Sequence, residues 1–215
     1  MRTVLTLKNE HDWNLPADFQ HDDVRYSGSL VRHFLEAWTN EGDIIFDPFA
    51  GYGTTLRVAE AMGRVSYGVE FDARRYEYVR SQLRHPDNLI LGDSRQLATY
   101  ALPPFDLSIT SPPYTQKDGR ENPFTNYSTE GGGYEAYLGE LEGIYAQVER
   151  LMKPHARVVI EVSNLKGSAG VTTLAWDVAS AVSKVLRFEG EIVVAWDHYS
   201  YGYDHSYCLL FTKPA

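Results

Sequence analysis

From residue 43 onward the chain alternates short apolar runs with helix-length amphipathic runs. No other feature constrains the fold as much, because neighbouring parallel strands need crossover connections and helices supply them. "DIIFDPFA" reads as a buried strand, and "TTLRVAEAMG" as the helix after it, closed by Gly63. "RVSYGVEF" reads as a second strand and "DARRYEYVRSQL" as a second helix capped by Asp72. "NLILGD" is a third strand with a short helix from Leu97 to Tyr100, and "FDLSIT" is a fourth. A long polar loop over residues 115–133, "TQKDGRENPFTNYSTEGGG", precedes an amphipathic helix from about Tyr134 to Met152, which ends before Pro154. "ARVVIEV" is a fifth strand and "TTLAWDVASAVSKVL" a further helix, and "GEIVVAWDH" with "SYCLLFTK" closes the chain as a hairpin. "SGSLVRHFLEAWTN" reads as a helix ahead of the first strand, and residues 1–25 as an N-terminal extension. The expectation is one α/β domain over residues 1–215: a doubly wound, mostly parallel seven-stranded sheet ending in an antiparallel hairpin.

Composition narrows the setting. No apolar run approaches the roughly 20 residues of a membrane span, and the N-terminus "MRTVLTLKNEHDW" is too polar for a signal peptide. The single cysteine, Cys208, rules out an internal disulfide framework and a multi-cysteine zinc site, so a cytoplasmic protein is expected. A net charge of −9 weighs against unaided gripping of duplex DNA unless Arg25, Arg32, Lys117, Arg120 and Lys166 gather on one face.

The strand ends carry the chemistry. In "FDPFAGYGTT" the first strand runs into a turn where Gly51 and Gly53 allow close backbone approach to a ligand and Thr54 or Thr55 opens a helix. The second strand ends in Glu70 and the third in Asp93, so three successive strands carry Asp47, Glu70 and Asp93 at their carboxyl ends. Each acid could alone be a helix cap or surface turn. Together they suit a cofactor without phosphates that bears a positive centre, and no Gly-Lys-Ser/Thr follows to make a triphosphate loop. S-adenosylmethionine meets that description, with the glycine turn at its amino-acid end, Glu70 at the ribose and Asp93 at the adenine amino group.

The fourth strand runs straight into Ser111-Pro112-Pro113-Tyr114, where two prolines freeze the backbone behind a hydroxyl and ahead of an aromatic ring. "FDPFAGYGTT", "GVEFD", "LGDSR" and "SPPY" together resemble the amino-methyltransferases of DNA, over about residues 25–165. "YSGSLVRHFLEAW" is similar to that family's helix against the methionine end of the cofactor. The motif order, cofactor loop before Ser-Pro-Pro-Tyr, departs from the commoner order of members with Ser at the first position.

The resemblance implies a methyltransferase acting on an exocyclic amine of a base in DNA, cytosine favoured over adenine because position 111 is Ser. It implies that Ser111 and the carbonyl of Pro112 accept from the amine, that Pro113 stiffens the turn, and that Tyr114 stacks on a flipped-out base. It assigns cofactor contacts to Asp47, Pro48, Phe49, Ala50, Gly51, Gly53, Thr54, Thr55, Glu70, Phe71, Asp93, Ser94 and Ser29. Lys117, Arg120, Phe124 and Tyr127, in the 115–133 loop, are candidate substrate contacts, although a disordered solvated loop is the alternative.

Methylation at ring carbon is disfavoured, since it needs a cysteine after a proline and Cys208 lies in the apolar "SYCLLF". "DHYSYGYDHSY" could line a base pocket or form a packed aromatic edge, and His198 and His205 lack a third ligand, so no metal is expected. A separate target-recognition domain is not evident, which leaves a specificity partner, a homodimer or minimal specificity. The rivals are a base-amine methyltransferase of RNA, of the kind acting on guanine in transfer RNA, and a catalytically idle subunit that binds cofactor.

Overall fold

A computed structural model describes residues 2–22, 24–129, 131–167, 170–198 and 203–214, with backbone alone at 21 and 22. The elements in chain order are β1 (Val4–Leu7), α1 (Gly28–Trp38), β2 (Ile44–Asp47), α2 (Thr54–Ala61), β3 (Val65–Glu70), α3 (Ala73–Arg80) and β4 (Leu89–Leu91). There follow β5 (Phe105–Thr110), α4 (Tyr134–Leu151), β6 (Met152–Val162), β7 (Leu165–Gly167), β8 (Gly170–Thr172), α5 (Leu174–Val182), β9 (Arg187–Trp196) and β10 (His205–Thr212).

The main sheet has the order β1-β9-β10-β6-β5-β2-β3-β4. β2 pairs in parallel with β3 on one side and β5 on the other. The strand order therefore reverses at the β2–β5 boundary, where open α/β sheets leave a crevice at the carboxyl ends. β10 runs antiparallel to both β6 and β9, closing the sheet as a hairpin. The doubly wound α/β fold expected from the strand–helix rhythm is the one observed.

Three details differ from expectation. The sheet has eight strands rather than seven, because Val4–Leu7 of the N-terminal segment adds in parallel to β9, with Val4 opposite Val193 and Leu7 opposite Trp196. A four-residue strand has little sequence signal of its own, and its partner lies far along the chain. The short helix after the third strand is a 3-10 stretch, Ser94–Thr99, capped by Asp93. β6 starts at Met152 rather than Ala156, and the register slip opposite Phe105 and Leu107 absorbs Pro154.

The helices follow their apolar faces. α4 buries Tyr134, Tyr137, Leu141, Ile144, Tyr145 and Val148, the three-and-four spacing of one helical stripe. With α5 it covers one sheet face, where Val158, Ile160, Leu209 and Phe211 point. α1 buries Leu30, Val31, Phe34 and Leu35 and covers the other face with Val159, Cys208 and Leu210. The strict alternation along β6 and β10 thus feeds two separate cores.

Candidate active site

The cavity of about 790 Å³ lies at the carboxyl ends of β2, β3, β5 and β6. Its first wall is the turn after β2. Asp47 is fully buried, and its Oδ1 accepts from the backbone N–H of Phe49 (2.9 Å) and the hydroxyl of Thr110 (2.6 Å). Burial outweighs these bonds and lifts its carboxyl to about 6. The chain then turns through Gly51 (φ 55°) and Gly53 (φ 78°) into α2. A Cβ on Gly53 would come within 2.6 Å of Val79 on α3, so the turn also needs the empty space.

Behind the turn the hydroxyls of Tyr26 and Thr55 are hydrogen-bonded to each other, and Thr55 donates to the carbonyl of Ile109 at 3.1 Å. This ties the approach to α1, the start of α2 and the end of β5 together. Ser27 caps α1 by accepting from Ser29 N at 3.2 Å, while the hydroxyl of Ser29 donates to Lys8 O at 2.8 Å.

The second wall is built by acids. Glu70 accepts from the N–H of Gly51 (2.7 Å) on one oxygen and from that of Asp72 (2.8 Å) on the other, so β3 and the glycine turn are clasped together. Its carboxyl is raised to about 7, mainly by burial, against the pull of those N–H groups and of Arg75. Asp93 caps the 3-10 stretch and holds the Arg95 guanidinium, with 2.7 Å from Nη2 to Oδ2. Arg95 reaches on to Glu140 of α4 at 2.9 Å.

The third wall is Ser111 to Tyr114, where β5 ends. Ser111 Oγ lies 3.0 Å from Tyr114 Oη, and Tyr114 donates to Glu161 Oε2 at 3.1 Å. Glu161 is 2% exposed near the end of β6 and borders the cavity. Sequence reading did not single it out, although a carboxylate in the otherwise apolar "VVIEV" was a signal: burial of such a group costs several kcal/mol unless it is paired or has work to do.

The 115–133 loop forms the lid side. Phe124 stacks between Phe49 (5.5 Å) and Tyr137 (5.3 Å). Asn122 caps the turn Pro123–Thr125 and donates to Glu140 Oε2 at 3.0 Å. Asn126 and Tyr127 both take positive φ, 52° and 59°, and Asn126 reaches Asp72 at 3.2 Å. The loop is thereby fastened at both ends of the acidic wall.

Of the residues marked in the sequence, Pro48 to Gly51, Thr54, Glu70, Phe71, Asp93, Ser94, Ser111 to Tyr114, Phe124 and Tyr127 border this cavity. Asp47, Gly53, Thr55 and Ser29 do not, the first three supporting the turn and Ser29 facing the N-terminal segment. Lys117 lies away from it against Asp177 (3.5 Å), and Arg120 is exposed. Of the five basic residues marked in the sequence, Arg25 borders the cavity, whereas Arg32 is paired with Asp12 at 2.7 Å. Cavity residues not anticipated include Tyr26, Arg75 and Trp196. Tyr199 and Tyr201 of the aromatic hairpin lie outside the described residues. Among the described residues no group of three metal-ligating side chains occurs, and no helix is long and apolar enough to cross a membrane.

Residues 6–81, from β1 into α3, match a family model described as DNA methylase. Over 85 residues the chain is 33% identical to the orphan methyltransferase M.BamHII of Bacillus amyloliquefaciens, a match covering 40% of this chain and 31% of that protein. Over 81 residues it is 33% identical to the DNA adenine methyltransferase YhdJ of Escherichia coli K12, covering 35% of this chain and 26% of that one. Over its first third, this chain is similar to DNA methylases. Its fold is that of class I methyltransferases: a TehB-like SAM-dependent methyltransferase from Corynebacterium glutamicum superposes with a TM-score of 0.59 over 92% of this chain and 93% of that one, at 16% identity. The chain spans less than a third of the length of the two methylases it matches. The family-model match takes in the glycine turn and Glu70, whereas Ser111 to Tyr114, the loop and Glu161 lie beyond it.

The structures this chain resembles include an S-adenosylmethionine-dependent methyltransferase, and the donor set here fits that cofactor. Glu70 and Asp93 offer carboxylates to hydroxyl and amine hydrogens, the glycine turn leaves room for a backbone approach, and among the described residues no lysine borders the cavity.

Proposed function

We propose that this protein methylates the exocyclic amine of a base in DNA, with cytosine preferred. The observation that carries the reading is that the Ser111–Tyr114 turn and the Glu70 and glycine-turn wall share one cavity. When bound, S-adenosylmethionine supplies an electrophilic methyl group. Glu70 would hold its ribose, Asp93 its adenine amine, and the turn from Pro48 to Gly51 its amino-acid end.

The protein's own task is to present a nitrogen that is a poor nucleophile, because its lone pair is shared with the ring. Acceptors on both amine hydrogens favour the pyramidal nitrogen whose lone pair can attack. The prolines fix the Pro112 carbonyl as one acceptor. Hydrogen-bond polarity makes Ser111 the other. Tyr114 donates to Glu161 Oε2, which leaves the Tyr114 oxygen to accept the Ser111 proton. Ser111 is left with lone pairs alone for the incoming amine. Positioning and fixed dipoles of this kind account for much of the barrier lowering in enzymes.

Ser at position 111 favours cytosine over adenine through the resemblance to the amino-methyltransferases, while one of the matched relatives is named as an adenine methylase. Tritium-labelled S-adenosylmethionine offered with duplex DNA, single-stranded DNA or transfer RNA separates the readings. Label digesting to methylamino-cytosine is expected, abolished by Ser111→Ala with cofactor binding intact. Label as methylamino-adenine would correct the base, and label confined to RNA would overturn the reading. Glu161→Gln, whose amide can donate to Tyr114 and reverse the chain, is expected to lower kcat by about tenfold to a hundredfold with little change in KM for S-adenosylmethionine.

A further inference from the structure

The segment between β1 and α1 forms a strap along the glycine-turn end of the cavity. Its two ends are pinched together: the Ser27 hydroxyl accepts from the N–H of Glu10 at 3.2 Å and lies 2.9 Å from Glu10 O and 3.0 Å from Lys8 O. Arg32 of α1 holds Asp12 beside the same neck at 2.7 Å. Farther out, Phe19 meets Tyr52 edge-on (5.5 Å between centroids) and packs on Tyr78 (5.4 Å). Tyr52 stands between Gly51 and Gly53 and borders the cavity, so the strap is latched onto the turn that shapes the site. Asn9, His11, Val24 and Arg25 bring the strap to the cavity wall.

The strap's seat is only partly satisfied. The Arg57 guanidinium of α2 lies 3.7 Å from the centre of the Trp13 ring, yet Arg57 Nη1 and Trp13 Nε1 are both buried without a hydrogen-bond partner among the described residues. A buried donor left unpaired forfeits its hydration, so lifting the strap regains for both what closing it costs. Arg25 shares this seat: its Nη1 donates to Trp13 O at 2.9 Å, and its guanidinium lies 5.9 Å from the centre of the same ring. Burial lowers the Arg57 pKa and the neighbouring Arg25 charge adds to that, a repulsion that an anion between them would relieve.

Among the described residues, the guanidinium groups that border the cavity are those of Arg25 and Arg75. Arg75 lies over the Tyr52 ring (5.2 Å) and faces Glu70, whose carboxyl it pulls down against burial. Arg25 is placed differently. Its neighbour Tyr26 is hydrogen-bonded through its hydroxyl to Thr55, which puts Arg25 at the start of α2, where the glycine turn ends. We infer that Arg25 receives the carboxylate of S-adenosylmethionine, and that the strap carrying it, latched by Phe19 on Tyr52, is a lid over the cofactor's amino-acid end. The inference rests on the reading above for the cofactor alone and not for DNA. A guanidinium meets a carboxylate through two parallel hydrogen bonds. Cofactor binding therefore tightens a strap that like charges and unpaired donors otherwise loosen.

The test is calorimetry without DNA, using S-adenosylhomocysteine, which keeps the carboxylate, and 5′-methylthioadenosine, which lacks the whole amino-acid part. Arg25→Gln is expected to weaken S-adenosylhomocysteine binding by about tenfold and to leave methylthioadenosine within about twofold, since only the first offers the charge-assisted pair. Arg25→Lys should recover part of the loss, because the charge persists without the second parallel bond. Equal weakening of both ligands, or of neither, overturns the assignment of Arg25. Stopped-flow release of S-adenosylhomocysteine reads the lid. Phe19→Ala is expected to speed release by about fivefold, and Phe19→Tyr, which keeps the ring, to match the parent. Methylthioadenosine binding by each variant reports that the site is still folded. Release at the parent rate from Phe19→Ala would overturn the lid. A parent that binds neither ligand would overturn the cofactor and the lid together, whereas one that binds both but puts no methyl into DNA would sink the DNA reading and leave the strap standing.

Discussion

Gly51 and Gly53 stand two residues apart and both adopt left-handed backbone, yet they are held for different reasons. Space is open at Gly51, whereas at Gly53 the Val79 side chain fills the position of a Cβ. Gly51→Ala should therefore cost only about 1 kcal/mol of stability, from backbone strain. Gly53→Ala should cost roughly 2–4 kcal/mol, because strain and overpacking against α3 add. Urea unfolding of the two variants would check this, and equal losses would mean that Val79 moves aside freely. Both glycines were legible in the sequence because turn chemistry is local. Glu161 and Tyr26 were not, because their roles come from neighbours 47 and 29 residues away: the hydroxyl of Tyr114 for one and that of Thr55 for the other.

At the scale of elements, one chain of contacts joins the acidic wall to the lid. Asp93 holds Arg95, Arg95 holds Glu140, and Glu140 holds Asn122 at the start of the turn that carries Phe124. Arg95→Met removes the middle of that chain and leaves Glu140 to Asn122 alone. Trypsin cleavage after Lys117 or Arg120 should then accelerate several-fold, and saturating S-adenosylmethionine should protect the variant less than the parent. Unchanged cleavage would show that the Phe49–Phe124–Tyr137 stack suffices to hold the loop. Most elements were readable in advance, since α4 and β5 announce themselves through periods of 3.6 and 2. β1 was not: four residues alternate too briefly to be distinctive, and only the exposed edge of β9 makes them a strand.

For the whole molecule, buried carboxyls set the response to pH. Asp47 and Glu70 have folded values of about 6 and about 7, above those of unfolded carboxylates. Between about pH 4.5 and 7 the folded chain keeps protons that the unfolded chain has released, so the stability of the cofactor-free protein falls as pH rises through that window and levels off above it. Cofactor reverses the preference, since ribose hydroxyls and a nearby cation favour the ionised carboxylates. Affinity for S-adenosylmethionine is expected to climb by up to tenfold from about pH 5.5 to about pH 8, and Glu70→Gln should flatten the climb. Titration calorimetry decides it, and a parent affinity independent of pH would remove Glu70 from the cofactor site.

The closing hairpin also carries a clock. The chain's one thiol, Cys208, is fully buried between β6 and β9, and burial pushes its pKa well above that of a free cysteine. A thiol-alkylating reagent therefore meets a reactive sulfur only when β10 leaves the sheet. The rate of alkylation under native conditions would report the opening of that one strand, with no label to attach and no residue to introduce. Run with and without S-adenosylmethionine, the same clock would tell whether a filled cavity keeps β10 shut.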